Sequence, residues 1–259
     1  MINVVDRVST YPGRVKLTKA NGTTEYVTWE RADEPTVEGT PINKALFDSI
    51  AADIGLAAEV TLYVSGAGSD TLGTGSSSNP YKTINKALST LPKNLNGKRT
   101  FISIAGGTYN EIVNVDSFSC GRIIFGGSAS AGVTISGLVV NGCKVLVDSI
   151  SLTVGNNGVF VESLGMLYST NNALITVNGA ADGVTLRYGS VIDLNRLTIN
   201  NATNRALQVQ YGSTASVGTL AGSGNNIGVY LYNSTAYVVA PSISATVPFT
   251  NDNGAYYKR

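Results

Sequence analysis

A chain of 259 residues can hold one large domain and a smaller companion. Its 18 basic and 17 acidic residues leave a formal charge of +1, without the basic excess that nucleic-acid binding draws on. The absence of histidine excludes imidazole bases, Ser-His-Asp hydrolysis and the usual zinc sites.

The 29 glycines, together with abundant Ser, Thr, Asn and Val, favour strands and turns over helices. Met1 to Asp6 lacks the basic-then-apolar pattern of a Sec signal, and no run of ~18 apolar residues occurs. The expectation is a soluble protein with no membrane insertion and no nucleic-acid partner. Cys120 and Cys143 form no metal-ligand cluster or disulfide framework, so no metal or cofactor is expected and both thiols should stay reduced in a cytoplasm.

Residues 1–58 are rich in charge and hold the sole tryptophan, Trp29, which sets them apart as a small module. Alternating Arg14-Val-Lys-Leu-Thr and Glu25-Tyr-Val-Thr-Trp flank Asn21-Gly22 and predict a hairpin. Thr40-Pro41 starts a helix expected to run to about Ile54, with Leu46, Ile50 and Ile54 on one face. In residues 59–99 a strand ends at Tyr63-Val-Ser, and a Gly/Ser loop follows that composition alone would equally make a linker. Ile84, Ala87, Leu88 and Leu91 then form the stripe of a short helix.

From residue 100 onward the chain repeats. Gly158-Val-Phe-Val-Glu, Gly183-Val-Thr-Leu-Arg, Ala206-Leu-Gln-Val-Gln and Gly228-Val-Tyr-Leu-Tyr align, with Val159, Val184, Leu207 and Val229 spaced 25, 23 and 22 apart. After Gly189-Ser190, Gly212-Ser213 and Asn233-Ser234 comes a second alternating element with Ile192/Leu194, Ala215/Val217 and Ala236/Val238 inward. Units of two or three short strands cannot close a core alone, but stacking them buries a continuous one. The prediction is an all-β parallel β-helix of about six or seven coils, with the Ile84 helix as its cap and the four anchors in one column. Asn156, Asn204 and Asn226, three residues before their anchors, are expected to stack at corners.

The segment Tyr63-Val-Ser, Gly66-Ala-Gly-Ser-Asp, Asn79-Pro-Tyr-Lys-Thr-Ile-Asn-Lys-Ala-Leu and Ile104-Ala-Gly-Gly-Thr-Tyr resembles the opening of the right-handed β-helix in the pectate-lyase-like superfamily, which includes many bacteriophage tail spikes. Tyr11-Pro-Gly-Arg-Val-Lys-Leu-Thr and Glu38-Gly-Thr-Pro-Ile-Asn-Lys-Ala are similar to the N-terminal attachment segment of phage and prophage tail and baseplate proteins. The resemblance implies a right-handed β-helix in a virion appendage, assembled in the host cytoplasm. Residues 1–58 would dock onto the tail or baseplate, and the rod would contact host surface polysaccharide as a parallel homotrimer. The alternative on the same fold is a polysaccharide depolymerase, a lyase or glycosidase.

Glu162 and Arg187 align one coil apart and face outward, as either an exposed ion pair or a lyase-like acid/base pair, with Asp193 the next candidate. Outward Phe160, Gln208, Gln210, Tyr230 and Tyr232, and on a second face Tyr168 and Tyr237, suit sugar rings or a neighbouring subunit equally. Tyr188, Tyr211 and Tyr232 each precede a corner, but Tyr232 is shifted by one against the anchors, which leaves its orientation open.

Overall fold

The computed structural model describes residues 14–18, 24–28, 59–127, 132–170, 172–253 and 256–258. The chain divides into two compact units, Met1–Ile54 and Gly55–Arg259. In the first, β1 (Arg14–Thr18) and β2 (Thr24–Thr28) pair antiparallel, with Arg14 opposite Thr28 and Thr18 opposite Thr24. This is the expected hairpin. The helix predicted over 41–54 lies outside the described residues.

The second unit is a right-handed parallel β-helix of about seven coils. Each full coil visits three faces, here A, B and C in chain order. Face A begins with β3 (Val60–Val64), β4 (Arg99–Ile104), β6 (Arg122–Gly126) and β8 (Lys144–Asp148), paired parallel in that order. Face C contains β10 (Val159–Glu162), β13 (Asp182–Leu186) and β15 (Arg205–Gln210), again in parallel register. The four anchors stack as predicted: Val159 lies opposite Val184, Val184 opposite Leu207, and Leu207 opposite Val229. All four are buried. The second predicted column holds as well, with Ile192, Ala215 and Ala236 in one line on face A.

Face B supplies a third column that the two-element alignment leaves unassigned. Leu152, Ile175, Leu197 and Leu220 are opposite one another and buried. On the later coils faces A and B belong to a single bent strand, as in β14 (Val191–Asn200), where neither glycine nor proline marks the corner between them.

Helix α1 (Ile84–Ser89) buries Ile84, Ala87 and Leu88 at the start of the stack, and its N-cap Thr83 accepts from the Lys86 amide. The cap is held from both sides. The Glu111 carboxylate accepts from the Ile84 and Asn85 amides at 2.7 and 3.0 Å, and Asp70 accepts from the Lys82 and Thr83 amides and the Thr83 hydroxyl at 2.8–3.0 Å. The Gly/Ser segment is therefore an ordered loop rather than a linker, further pinned by the Tyr63 amide donating to the Gly75 carbonyl.

The asparagine corners differ from expectation in their residues. The Asn204 amide donates to Asp182, whereas the bond from one coil's asparagine to the next runs from Asn201 to Asn178 at 3.0 Å. Asn225 is buried: it accepts from the Ala202 amide at 3.0 Å and donates to the Ile199 carbonyl at 2.8 Å, satisfying corner backbone that water cannot reach.

Burial alone would raise the Asp70 carboxyl, but the bonds from Thr83 and Lys82 prevail and hold it below the usual aspartate range. A depressed folded-state pKa contributes stability that is complete above the unfolded value of about 3.9 and is lost as pH falls through the folded value. Asp70→Asn should therefore lower the melting temperature at neutral pH, and the gap to wild type should close on acidification below about pH 4. Thermal melts of both proteins across that range check it.

Candidate functional site

Strand alternation sends every second residue of face C outward, and the coil repeat stacks these residues in two rows. The outer row aligns Asp116, Asn141 and Glu162, continues with Arg187, and ends with Gln210, Tyr232 and Asp252 in register. It is bonded along most of its length. The Asn141 amide donates to Asp116 at 2.7 Å, Glu162 and Arg187 lie 3.7 Å apart, and Arg187 Nε donates to Gln210 Oε1 at 3.3 Å. Glu162 and Arg187 are thus an ion pair with a third of each side chain exposed, as the plainer sequence reading has it.

The inner row runs Phe160, Thr185, Gln208, Tyr230. Thr185 and Gln208 are buried although they point away from the core, with the Thr185 hydroxyl and Gln208 Oε1 at 3.5 Å. Gln210 is buried too. The Arg205 guanidinium lies 4.3 Å from the centre of the Tyr230 ring. Burial, then the hydrogen bond and charge of Asp252, raise the Tyr230 phenol. The two glutamines thus support the face from within, and the arginines and aromatics form its surface.

Asp193 belongs elsewhere. It lies on face A, in a row with Tyr168, Ser216 and Tyr237, so the structure does not bring it to Glu162 and Arg187. In the outer row of face C, Asp116 and Glu162 are two coil steps apart, ~10 Å, with Asn141 between them. A glycosidase needs its carboxylates ~5–9.5 Å apart with room for a sugar and a water, which Asn141 occupies here. Among the described residues, no three acidic or cysteine side chains gather as a metal site.

The corner from face C to face A exposes apolar side chains on successive coils. Tyr188 and Tyr211 take left-handed φ values of 59° and 53°, and each is followed by a glycine. Their rings stack 5.3 Å apart and 7° from parallel; Tyr232 meets Tyr211 edge-on at 5.5 Å. Tyr232 sits opposite Gln210 in the sheet, yet its ring joins the tyrosines because this corner is one residue shorter: Val184 to Val191 spans seven positions, Val229 to Thr235 six. That resolves its orientation. One coil earlier Leu164 has φ 65° and is 68% exposed. It occupies the place of Gly189, above which its side chain lies: a Cβ on Gly189 would be 2.8 Å from Leu164 Cδ2. A large apolar residue in that conformation is doubly unfavourable, in backbone strain and in hydration. Leu164 was not singled out by sequence, although its alignment with two glycines was readable there.

No protein-family profile matches the sequence, and no curated protein does. A solved structure titled rhamnogalacturonan lyase is similar at 14% identity with a TM-score of 0.24, over 71% of this chain and 61% of that one. The chain therefore spans under two thirds of that protein's length, and a likeness at this level assigns no activity.

Cys120 is exposed and Cys143 buried, and both are free. Their spacing of 23, close to one coil, predicts neighbouring positions on adjacent coils, but Val145 lies opposite Ile123, a step of 22, so Cys120 falls beside Gly142 instead. Burial is the main cause that pushes the Cys143 thiol up to about 11, and its hydrogen donates to the Val115 carbonyl. One thiol per chain should react with an alkylating reagent at neutral pH in the native protein and two after denaturation, counted by mass spectrometry.

Proposed function

We propose that this protein is a glycan-binding rod, a phage or prophage tail appendage whose β-helix holds a host surface polysaccharide along the corner beside face C. The observation that carries this reading is the ridge of Leu164, Tyr188, Tyr211 and Tyr232. It exposes ring surface and phenol hydroxyls in a line parallel to the stack, at intervals close to those of successive sugars in an extended chain. Strained, exposed apolar residues are retained where they meet something. The outer row of face C borders the ridge with Arg187 and Tyr232, which supply polar contacts for sugar hydroxyls.

The virion assignment rests on the resemblance of residues 11–18 and 38–45 to attachment segments, and residues 1–58 are the docking module in this reading. A homotrimer follows from the same resemblance and from the exposed Tyr237, Val239, Val247 and Phe249 of the last coil. Light scattering should return the mass of three 26.9 kDa chains at micromolar concentration; a monomer removes the trimer.

Calorimetry against host-envelope glycans should detect binding that Tyr211→Ala weakens about tenfold, the loss of roughly 1–1.5 kcal/mol of aromatic contact. Leu164→Gly should weaken it too while leaving the melting temperature equal or higher, because glycine accepts the left-handed backbone. Release of reducing ends or unsaturated sugars during incubation would replace this reading by a depolymerase.

A further inference from the structure

The corner that bears tyrosines in the later coils bears cations in the early ones. Arg99 lies opposite Arg122, and the step of 22 that sets Val145 opposite Ile123 brings Lys144 beside Arg122. With Lys98 they line an open cleft of about 360 Å³, whose remaining walls are Gly97, Cys120 and Gly121. All four cations are exposed, and no acid lines the cleft. Glu59 takes Arg99 in a two-pronged pair of 2.9 and 3.2 Å, and its carboxylate also feels the charge of Lys98; among the described residues, Arg122 and Lys144 have no carboxylate partner.

Like charges directly opposite on neighbouring strands repel, so this column costs the fold stability. Further along the same line stand Met166, Val191, Thr214 and Thr235, which carry no charge. The concentration of charge is local in a chain whose net charge is +1. The floor beneath it is fixed by backbone. The Leu95 amide donates to the Ser119 carbonyl at 2.9 Å, Gly97 donates to Cys120, and Arg122 donates to Lys98 at 3.1 Å. A Cβ on Gly121 would sit 2.4 Å from Leu95 Cβ, so only glycine lets the two segments approach this closely. The cations are therefore presented on a preorganised surface, one coil step of ~4.8 Å after another.

We infer that this cleft is an anion site, and that it takes a linear acidic glycan whose carboxylate or sulfate groups meet Arg99, Arg122 and Lys144 on successive coils. A straight file of cations matches a charged chain lying parallel to the stack better than a single compact anion. No aromatic side chain lines the cleft, so a nucleic-acid base has nothing to stack on. The choice of a glycan rests on the proposed function; the anion site itself does not. The cleft and the tyrosine ridge follow one corner, so an acidic chain could engage both.

The test is calorimetry on the full chain with a sulfated hexasaccharide and a hexauronate, each beside an uncharged hexasaccharide, with short polyphosphate and single-stranded DNA as competitors. The acidic sugars should bind with a log–log salt slope of about −2, for the counterions released from Lys98, Arg122 and Lys144, and should slow alkylation of Cys120 severalfold. Arg122→Glu with Lys144→Glu should weaken them at least about tenfold and leave uncharged-glycan binding at the ridge intact. The milder Arg122→Gln with Lys144→Gln pair should act in the same direction and serves if the reversal disturbs folding. Acidic sugars binding no tighter than neutral ones, unchanged Cys120 alkylation, or unchanged affinity in both variants would overturn the anion site. Equal affinity for polyphosphate or DNA would overturn the glycan assignment. Loss with Tyr211→Ala alone would leave only the ridge standing, and loss with the charge variants alone only the cleft.

Discussion

The ladder of parallel backbone hydrogen bonds between coils governs everything else in the β-helix. Because each strand pairs with the strand one coil away, residue identity is copied along the stack at steps of 22 to 25 residues. A residue that faces the core in one coil faces it in all. The interior can then be filled by three columns of Val, Ile, Leu and Ala without any element long enough to fold alone. The same copying acts outside, where it turns single side chains into rows: carboxamides and ions on face C, rings and cations at the corner. The outer surface is linear because the inner one is.

Copying also made much of the fold readable in advance. Two apolar columns and the capping helix follow from alternation and spacing, since Val184/Leu186 and Ile192/Leu194 obey a period of two on either side of a Gly-Ser corner. Face B escaped because the bend before Leu197 has neither glycine nor proline, so nothing in the sequence divides β14 into the two faces it serves. Burial on the outside escaped for a different reason. Alternation says that Gln208 points outward, but whether water reaches it depends on neighbours such as Arg205 and Tyr230. Period and spacing carry no information about how long side chains lie over one another.

The candidate site was legible only in part, and the dividing line is again physical. The Glu162–Arg187 pair follows from register and was expected. Asp193 is a candidate only by its charge: alternation puts it in the other outward column with Tyr168, Ser216 and Tyr237, and the register has it there. The tyrosine ridge depends on left-handed corners and on the loss of one residue between Val229 and Thr235, which rotates one ring by 73° against the next. A single deleted residue at a corner leaves the core columns intact while changing what the surface offers. Corner length and corner residues can thus vary the binding surface without touching the residues that hold the coils together.

The capping helix and its carboxylate clamps also set an order of assembly. Every pairing in the rod joins segments about one coil apart, so each coil needs only the coil before it as a template. During synthesis Ile84, Ala87 and Leu88 emerge ahead of the coils they cover, with Asp70 already present and Glu111 close behind. The closed end is thus available first, and later coils can add to a finished edge as they leave the ribosome. Growth in the direction of translation keeps one open edge at a time, the arrangement least exposed to mispairing with other chains.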